Sequence, residues 1–87
     1  MQVHVLYFGQ VKELLKKKEE SLELGVEATN LKDLQQALVT KYALVPGFEP
    51  LFQSCMLAVN DEYVYTLREV ALEEGMEVAV IPPISGG

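Results

Sequence analysis

The 87 residues predict one α+β domain, a mixed sheet of about five strands with one main helix packed across one face. Three observations carry that expectation. Apolar residues alternate through residues 2–8 and form a second strand-like run at residues 76–81. Between these runs, Leu31, Leu34, Leu38 and Tyr42 recur at helical spacing and make a single stripe. Helical and strand-like segments then follow one another without a regular βα repeat, which sets the class as α+β. A chain this short has room for one core only.

Each element has a local reason. Residues 2–8 form a strand with Val3, Val5 and Tyr7 on one face and His4, Leu6 and Phe8 on the other. Gly9 breaks it, and residues 11–17 read as a short helix with Val11, Leu14 and Leu15 inward. Residues 21–26 alternate again, placing Leu22, Leu24 and Val26 together. Asn30 is a candidate cap for the next helix, with Asp33 in its first turn near the positive end of the dipole. That helix extends to about Tyr42, and its leucine stripe belongs to the core. Pro46-Gly47 opens an irregular connection containing Phe48 and Phe52. Residues 55–59 form a strand, Asn60-Asp61 a turn, and residues 63–65 a brief returning strand. A loop over residues 67–74 leads to Gly75 and the last strand.

This arrangement leaves the second face of the sheet to be explained. If Val3, Val5 and Tyr7 face the helix, Leu6 and Phe8 face away, as do Ala79 and Ile81 in the last strand. An uncovered apolar patch of this kind marks a partner site. The alternative is that the short first helix or the connection around Phe48 covers it. The chain after residue 81 reads as a separate tail, residues 82–87, following a domain of residues 1–81. Pro82, Pro83, Ile84, Ser85, Gly86 and Gly87 carry no charged side chain, and the last two have no Cβ. Such an end is either a loose glycine-rich terminus or expression scar, or a tether that can be threaded into another protein's active site with its carboxylate as the reacting group.

Charge is divided unevenly. Residues 1–45 hold six acids and six lysines, whereas residues 46–87 hold seven acids against Arg68 alone. Nucleic acid is excluded as a partner because phosphate binding calls for clustered Lys and Arg. Lys16-Lys17-Lys18 runs straight into Glu19-Glu20 and reads as a solvated helix end. The acidic second half fits either a basic partner surface or simple solubility. One Cys and one His rule out an internal disulfide and leave no metal-ligand spacing. Cys55 reads as a small buried filler and His4 as a surface or packed residue. No stretch approaches the ~20 apolar residues of a membrane span and the start lacks a signal-peptide pattern, so a cytosolic location is expected.

Three segments resemble one family. Val5-Leu6-Tyr7-Phe8 resembles its opening strand, Leu57-Ala58-Val59-Asn60-Asp61-Glu62-Tyr63-Val64 its central hairpin, and Glu77-Val78-Ala79-Val80-Ile81-Pro82-Pro83-Ile84-Ser85-Gly86-Gly87 its closing strand and tail. The family is that of the ubiquitin-like sulfur carriers, closest to the small subunit of molybdopterin synthase, and the Pro-Pro-Ile-Ser-Gly-Gly ending is its specific mark. The resemblance implies a β-grasp fold. It also implies that an E1-like enzyme spends ATP to adenylate Gly87, and that a sulfur donor then leaves a Gly87 thiocarboxylate. Pro82 to Gly86 would insert into the large synthase subunit, and sulfur would pass to cyclic pyranopterin monophosphate, giving molybdopterin. Leu6, Phe8, Ala79 and Ile81 would form the partner interface, in a heterotetramer of two small and two large subunits. The small subunit alone would not turn over and would hold no cofactor stably. Two other functions share such an ending: a ubiquitin-like modifier joined to lysines by isopeptide bonds, and a sulfur carrier for another pathway such as thiamine.

Overall fold

In the computed structural model, which describes residues 1–83, the first and last strands lie side by side in the middle of one sheet. The elements in chain order are β1 (Gln2–Tyr7), α1 (Gly9–Leu15), β2 (Glu19–Glu23), α2 (Leu31–Lys41), α3 (Phe48–Gln53), β3 (Met56–Val59), β4 (Glu62–Val64), a 3₁₀ turn (Leu67–Glu69) and β5 (Glu77–Ile81). The strand order is β2-β1-β5-β3-β4. Only the β1–β5 pairing is parallel among these neighbours, and the others are antiparallel. A parallel pair needs a long crossover, and here everything between β1 and β5 supplies it. The result is the expected mixed five-stranded sheet with α2 across one face, a β-grasp.

Period-2 alternation sorts the side chains. Val3, Val5, Tyr7, Leu57, Val78 and Val80 are buried on the helix side with Leu31, Leu34 and Leu38 of α2. Asn30 caps α2 through a reciprocal capping box: its side chain accepts from the Asp33 N–H, while the Asp33 carboxylate accepts from the Asn30 N–H. The N–H groups of Thr29 and Asn30 hold the Asp33 carboxyl below its ordinary pKa. Backbone bonds from Leu31 to Val70 and from Leu72 to Thr29 fix the start of α2 to the segment before β5.

The structure departs from the expected elements in three places. Val26 does not join Leu22 and Leu24 in the core but is 99% exposed. The β1–β2 ladder closes with the Leu24 N–H on the Met1 carbonyl, and a turn from Gly25 to Ala28 then redirects the chain. The first helix starts earlier and ends earlier than expected, because Lys16 adopts a left-handed conformation with φ 58° and closes it. Lys17 is therefore not simply solvated, since its Nζ lies 5.5 Å from the Tyr42 ring centroid. The connection around Phe48 is not irregular: it contains α3. Pro50 is tolerated there because the first turn of a helix needs no N–H at that position. Phe48 and Phe52, one turn apart, stack with ring centroids 5.1 Å apart, and Tyr42 meets Phe48 at the same distance.

Candidate functional site

The far face of the sheet is built by the strand registers. Leu6 pairs with Ala79, Ala79 with Ala58, and Ala58 with Tyr63, so one row crosses four strands. Two alanines at the centre of that row leave a hollow floor, with larger side chains standing on either side. In the adjoining row Ile81 pairs with Met56, and the Phe8 N–H bonds to the Val80 carbonyl beside it. The hollow has a volume of about 230 Å³ and is lined by Leu6, Phe8, Ala58, Tyr63, Ala79 and Ile81, with Asn60, Asp61 and Glu77 at its polar rim. Phe8 is 47% exposed and Tyr63 54% exposed, although both are large and apolar or aromatic.

Leu6, Phe8, Ala79 and Ile81, the four residues singled out from sequence, thus come together in one concavity. Neither α1 nor α3 covers them, because Val11, Phe48 and Phe52 pack into the core on the helix side. Among the described residues no element lies over this face. Ala58, Tyr63, Asp61 and Glu77 were not anticipated as part of it. Ala58 alternates with Leu57 and Val59, so its facing was readable, but its position beside Ala79 depends on strand pairing. Asp61 reaches the rim because Asn60 and Asp61 form a two-residue hairpin turn, both left-handed at φ 53° and 68°. The two rim acids give the apolar hollow a negative edge.

The tail leaves from the Ile81 end of the hollow, at the opposite end of β5 from Glu77. β5 ends at Ile81, Pro82 is half-buried, and Pro83 is exposed. Pro82 passes over Gly9, which has φ 55°; a Cβ on Gly9 would stand 2.8 Å from the Pro82 Cγ. Ile84, Ser85, Gly86 and Gly87, the rest of the expected insertion segment and its reacting terminus, lie outside the described residues.

Other chemistry is placed away from this site or held inert. Glu20 sits on the helix side, where its carboxylate accepts from Tyr7 Oη at 2.5 Å, from Tyr42 Oη, and from Lys41 Nζ at 2.7 Å. Burial works against the ionised form, but Lys41 and the two hydroxyls outweigh it and hold Glu20 down at about 2. Burial together with the Glu20 charge pushes the Tyr7 hydroxyl well above its ordinary value. Cys55 is half-buried, its Sγ 3.3 Å from the Leu51 carbonyl, and burial pushes its thiol up to about 11. Such a thiol stays protonated near neutrality and is a poor nucleophile. His4 pairs with Glu19 at 2.8 Å on the sheet surface. Among the described residues no cluster of His, Cys, Asp and Glu is placed to hold a metal ion, and no helix is long and apolar enough to cross a membrane.

Comparison with known proteins agrees with this geometry. The sequence pattern of the ThiS family matches residues 5–87. The molybdopterin synthase sulfur carrier subunit of Chlamydomonas reinhardtii is 37% identical over 87 residues, covering all of both chains. The complex of subunits 1 and 2 of molybdopterin-converting factor from Helicobacter pylori superposes with a TM-score of 0.69 at 25% identity, covering 100% of this chain and of the matched chain. Small archaeal modifier protein 1 of Haloferax volcanii shares the fold, with a TM-score of 0.72 at 21% identity over 95% of this chain and 98% of its own. The full-length identity to a named sulfur carrier, together with the family match over nearly every residue, establishes that this chain belongs to the ThiS family, among its molybdopterin synthase sulfur carrier subunits.

Proposed function

We propose that this protein carries sulfur as a thiocarboxylate on Gly87 and delivers it as the small subunit of a molybdopterin synthase. A carboxylate is a poor electrophile, since its charge repels nucleophiles and its oxygen leaves badly. Activation therefore requires that the Gly87 carboxylate attack the α-phosphate of ATP on an E1-like enzyme, releasing pyrophosphate and forming an acyl-adenylate. A sulfur donor then displaces AMP and leaves the thiocarboxylate. Two such sulfurs passed to cyclic pyranopterin monophosphate make the dithiolene of molybdopterin. The transferase is the complex, located in the cytosol and composed of two small and two large subunits. This chain binds no cofactor of its own.

One observation supports this division of labour most directly. The hollow runs along β5 from the acidic rim at Glu77 to Ile81, where the tail begins. A partner that covers the hollow through Leu6, Phe8, Ala79 and Ile81 is thereby positioned to receive the segment from Pro82 to Gly87. Gly86 adds no side-chain width to that segment, which suits a narrow channel. The acidic rim matches a basic partner, and a basic partner also suits a phosphorylated pterin. Mass spectrometry of protein coexpressed with its activating enzyme is expected to show a fraction heavier by about 16 Da, the replacement of O by S that adenylation and sulfuration leave. A population consisting of carboxylate alone would overturn the proposal.

The modifier reading is separable because the fold it shares does not decide the chemistry. Conjugates of higher mass that survive denaturing electrophoresis, and vanish on deletion of Gly87, would favour it.

A further inference from the structure

We infer that the hollow on the far sheet face receives an arginine side chain of the large subunit, with its stem over Ala58 and Ala79 and its guanidinium between Asp61 and Glu77. The inference rests on the carrier reading above and names the group by which the partner is recognised. The hollow is polarised along β5, where Glu77, Ala79 and Ile81 line it in succession. Its Ile81 end is walled by Phe8, and its floor is the alanine pair. At the other end the β3–β5 register sets Val59 against Val78, so Asn60 comes level with Glu77 one residue further on. Asp61 follows Asn60 in the hairpin turn and also lines the hollow. Both acids are exposed, and neither forms an ion pair among the described residues.

Size and charge together select the occupant. A volume of about 230 Å³ lies below the roughly 300–1,000 Å³ that hold small-molecule ligands, so a side chain suits it better than a free metabolite. A leucine or phenylalanine would cover the alanines but seal two carboxylates away from water without a partner, which is costly. A lysine brings one compact, strongly hydrated charge. Arginine brings a planar fork of five donors that can bridge two carboxylates, and its plane can stack on the Tyr63 ring, 54% exposed at the edge of the hollow. Ala79 and Glu77 are two residues apart on β5, roughly 7 Å, a span that the apolar stem of an arginine covers. Because the acids lie at one end only, the guanidinium fixes which way round the partner sits, with the tail leaving from the opposite end.

The test compares wild type with a variant carrying both Asp61→Asn and Glu77→Gln. Asn tolerates the left-handed conformation of residue 61, φ 68°, so the hairpin turn is kept. The uncomplexed ¹⁵N-labelled proteins are first titrated with N-acetylarginine amide and with N-acetyllysine amide. The arginine compound is expected to shift the Ala58, Asp61, Glu77 and Ala79 amide resonances more than the lysine compound does, and the double variant to lose the shift while its spectrum shows the fold retained. Large-subunit arginines that wild type shields from phenylglyoxal are then located by mass spectrometry and replaced by alanine one at a time. Calorimetry is expected to find one of these replacements, and the double variant of this chain, each weakening docking by about 10- to 100-fold. Combined, the two changes are expected to weaken it no more than about threefold beyond either alone. Wild-type affinity for the double variant, no shielded arginine coupled to the two acids, or equal shifts from the arginine and lysine compounds would overturn the inference. Failure of the wild-type chain to bind the large subunit would instead overturn the carrier reading, and the titration would still decide whether the hollow takes a guanidinium.

Discussion

Glu20 ties three elements together through one carboxylate. Its partners are Tyr7 on β1, Lys41 at the end of α2 and Tyr42 just after it, and Lys17 approaches at 3.4 Å. Its side chain is only 11% exposed, so little water competes for these bonds. Glu20→Ala leaves two tyrosine hydroxyls without their acceptor and is expected to cost about 2 kcal/mol in urea unfolding at neutral pH. The pH dependence has a definite sign. A carboxyl held at about 2 when folded, against an ordinary 4.5, stabilises the fold above 4.5 and loses that contribution as pH falls from 4.5 toward 2. The stability difference between wild type and Glu20→Ala is therefore expected to narrow across that window. A difference that stays constant down to pH 2.5 would show that ionisation of Glu20 contributes nothing.

At the scale of elements, α2 and α3 show how much local sequence reveals. α2 has 11 residues, enough turns for Leu31, Leu34 and Leu38 to display their period, and Asn30 marks its start. Its cap is expected to contribute measurably: Asn30→Ala should lower stability by about 1 kcal/mol without changing the urea m-value. Unchanged stability would mean that the Leu31–Val70 and Leu72–Thr29 bonds hold the helix start unaided. α3 has six residues, one and a half turns, too few to show a period, and Pro50 reads as a breaker. What makes it a helix is the stack of Phe48 and Phe52 against Tyr42, a tertiary contact. The same limit explains Val26, whose alternation with Leu22 and Leu24 continues after the ladder has ended.

The whole molecule separates packing from recognition by the two faces of one sheet. Every helix packs on one side, and the hollow lies on the other. Phe8 stands at its edge, 47% exposed, so replacing it removes little from the core. Phe8→Asp is expected to weaken docking to the large subunit by about 10- to 100-fold, as loss of an apolar anchor does, while the melting temperature changes little. Calorimetry that finds wild-type affinity would move the interface away from this face.

Alternation within β1 and β5 determined, before any fold was known, that Leu6 and Phe8 share a side and that Ala79 and Ile81 share a side. The period of α2, the turn at Asn60-Asp61 and the Pro-Pro-Ile-Ser-Gly-Gly ending were equally local, and they were legible for that reason. Tertiary structure decided what no single segment contains: that β1 and β5 pair in parallel, that Ala58 lies beside Ala79 to hollow the face, and that Gly9 lies under Pro82. Strand pairing joins residues more than 70 positions apart, and its register depends on the sum of many weak contacts across the sheet.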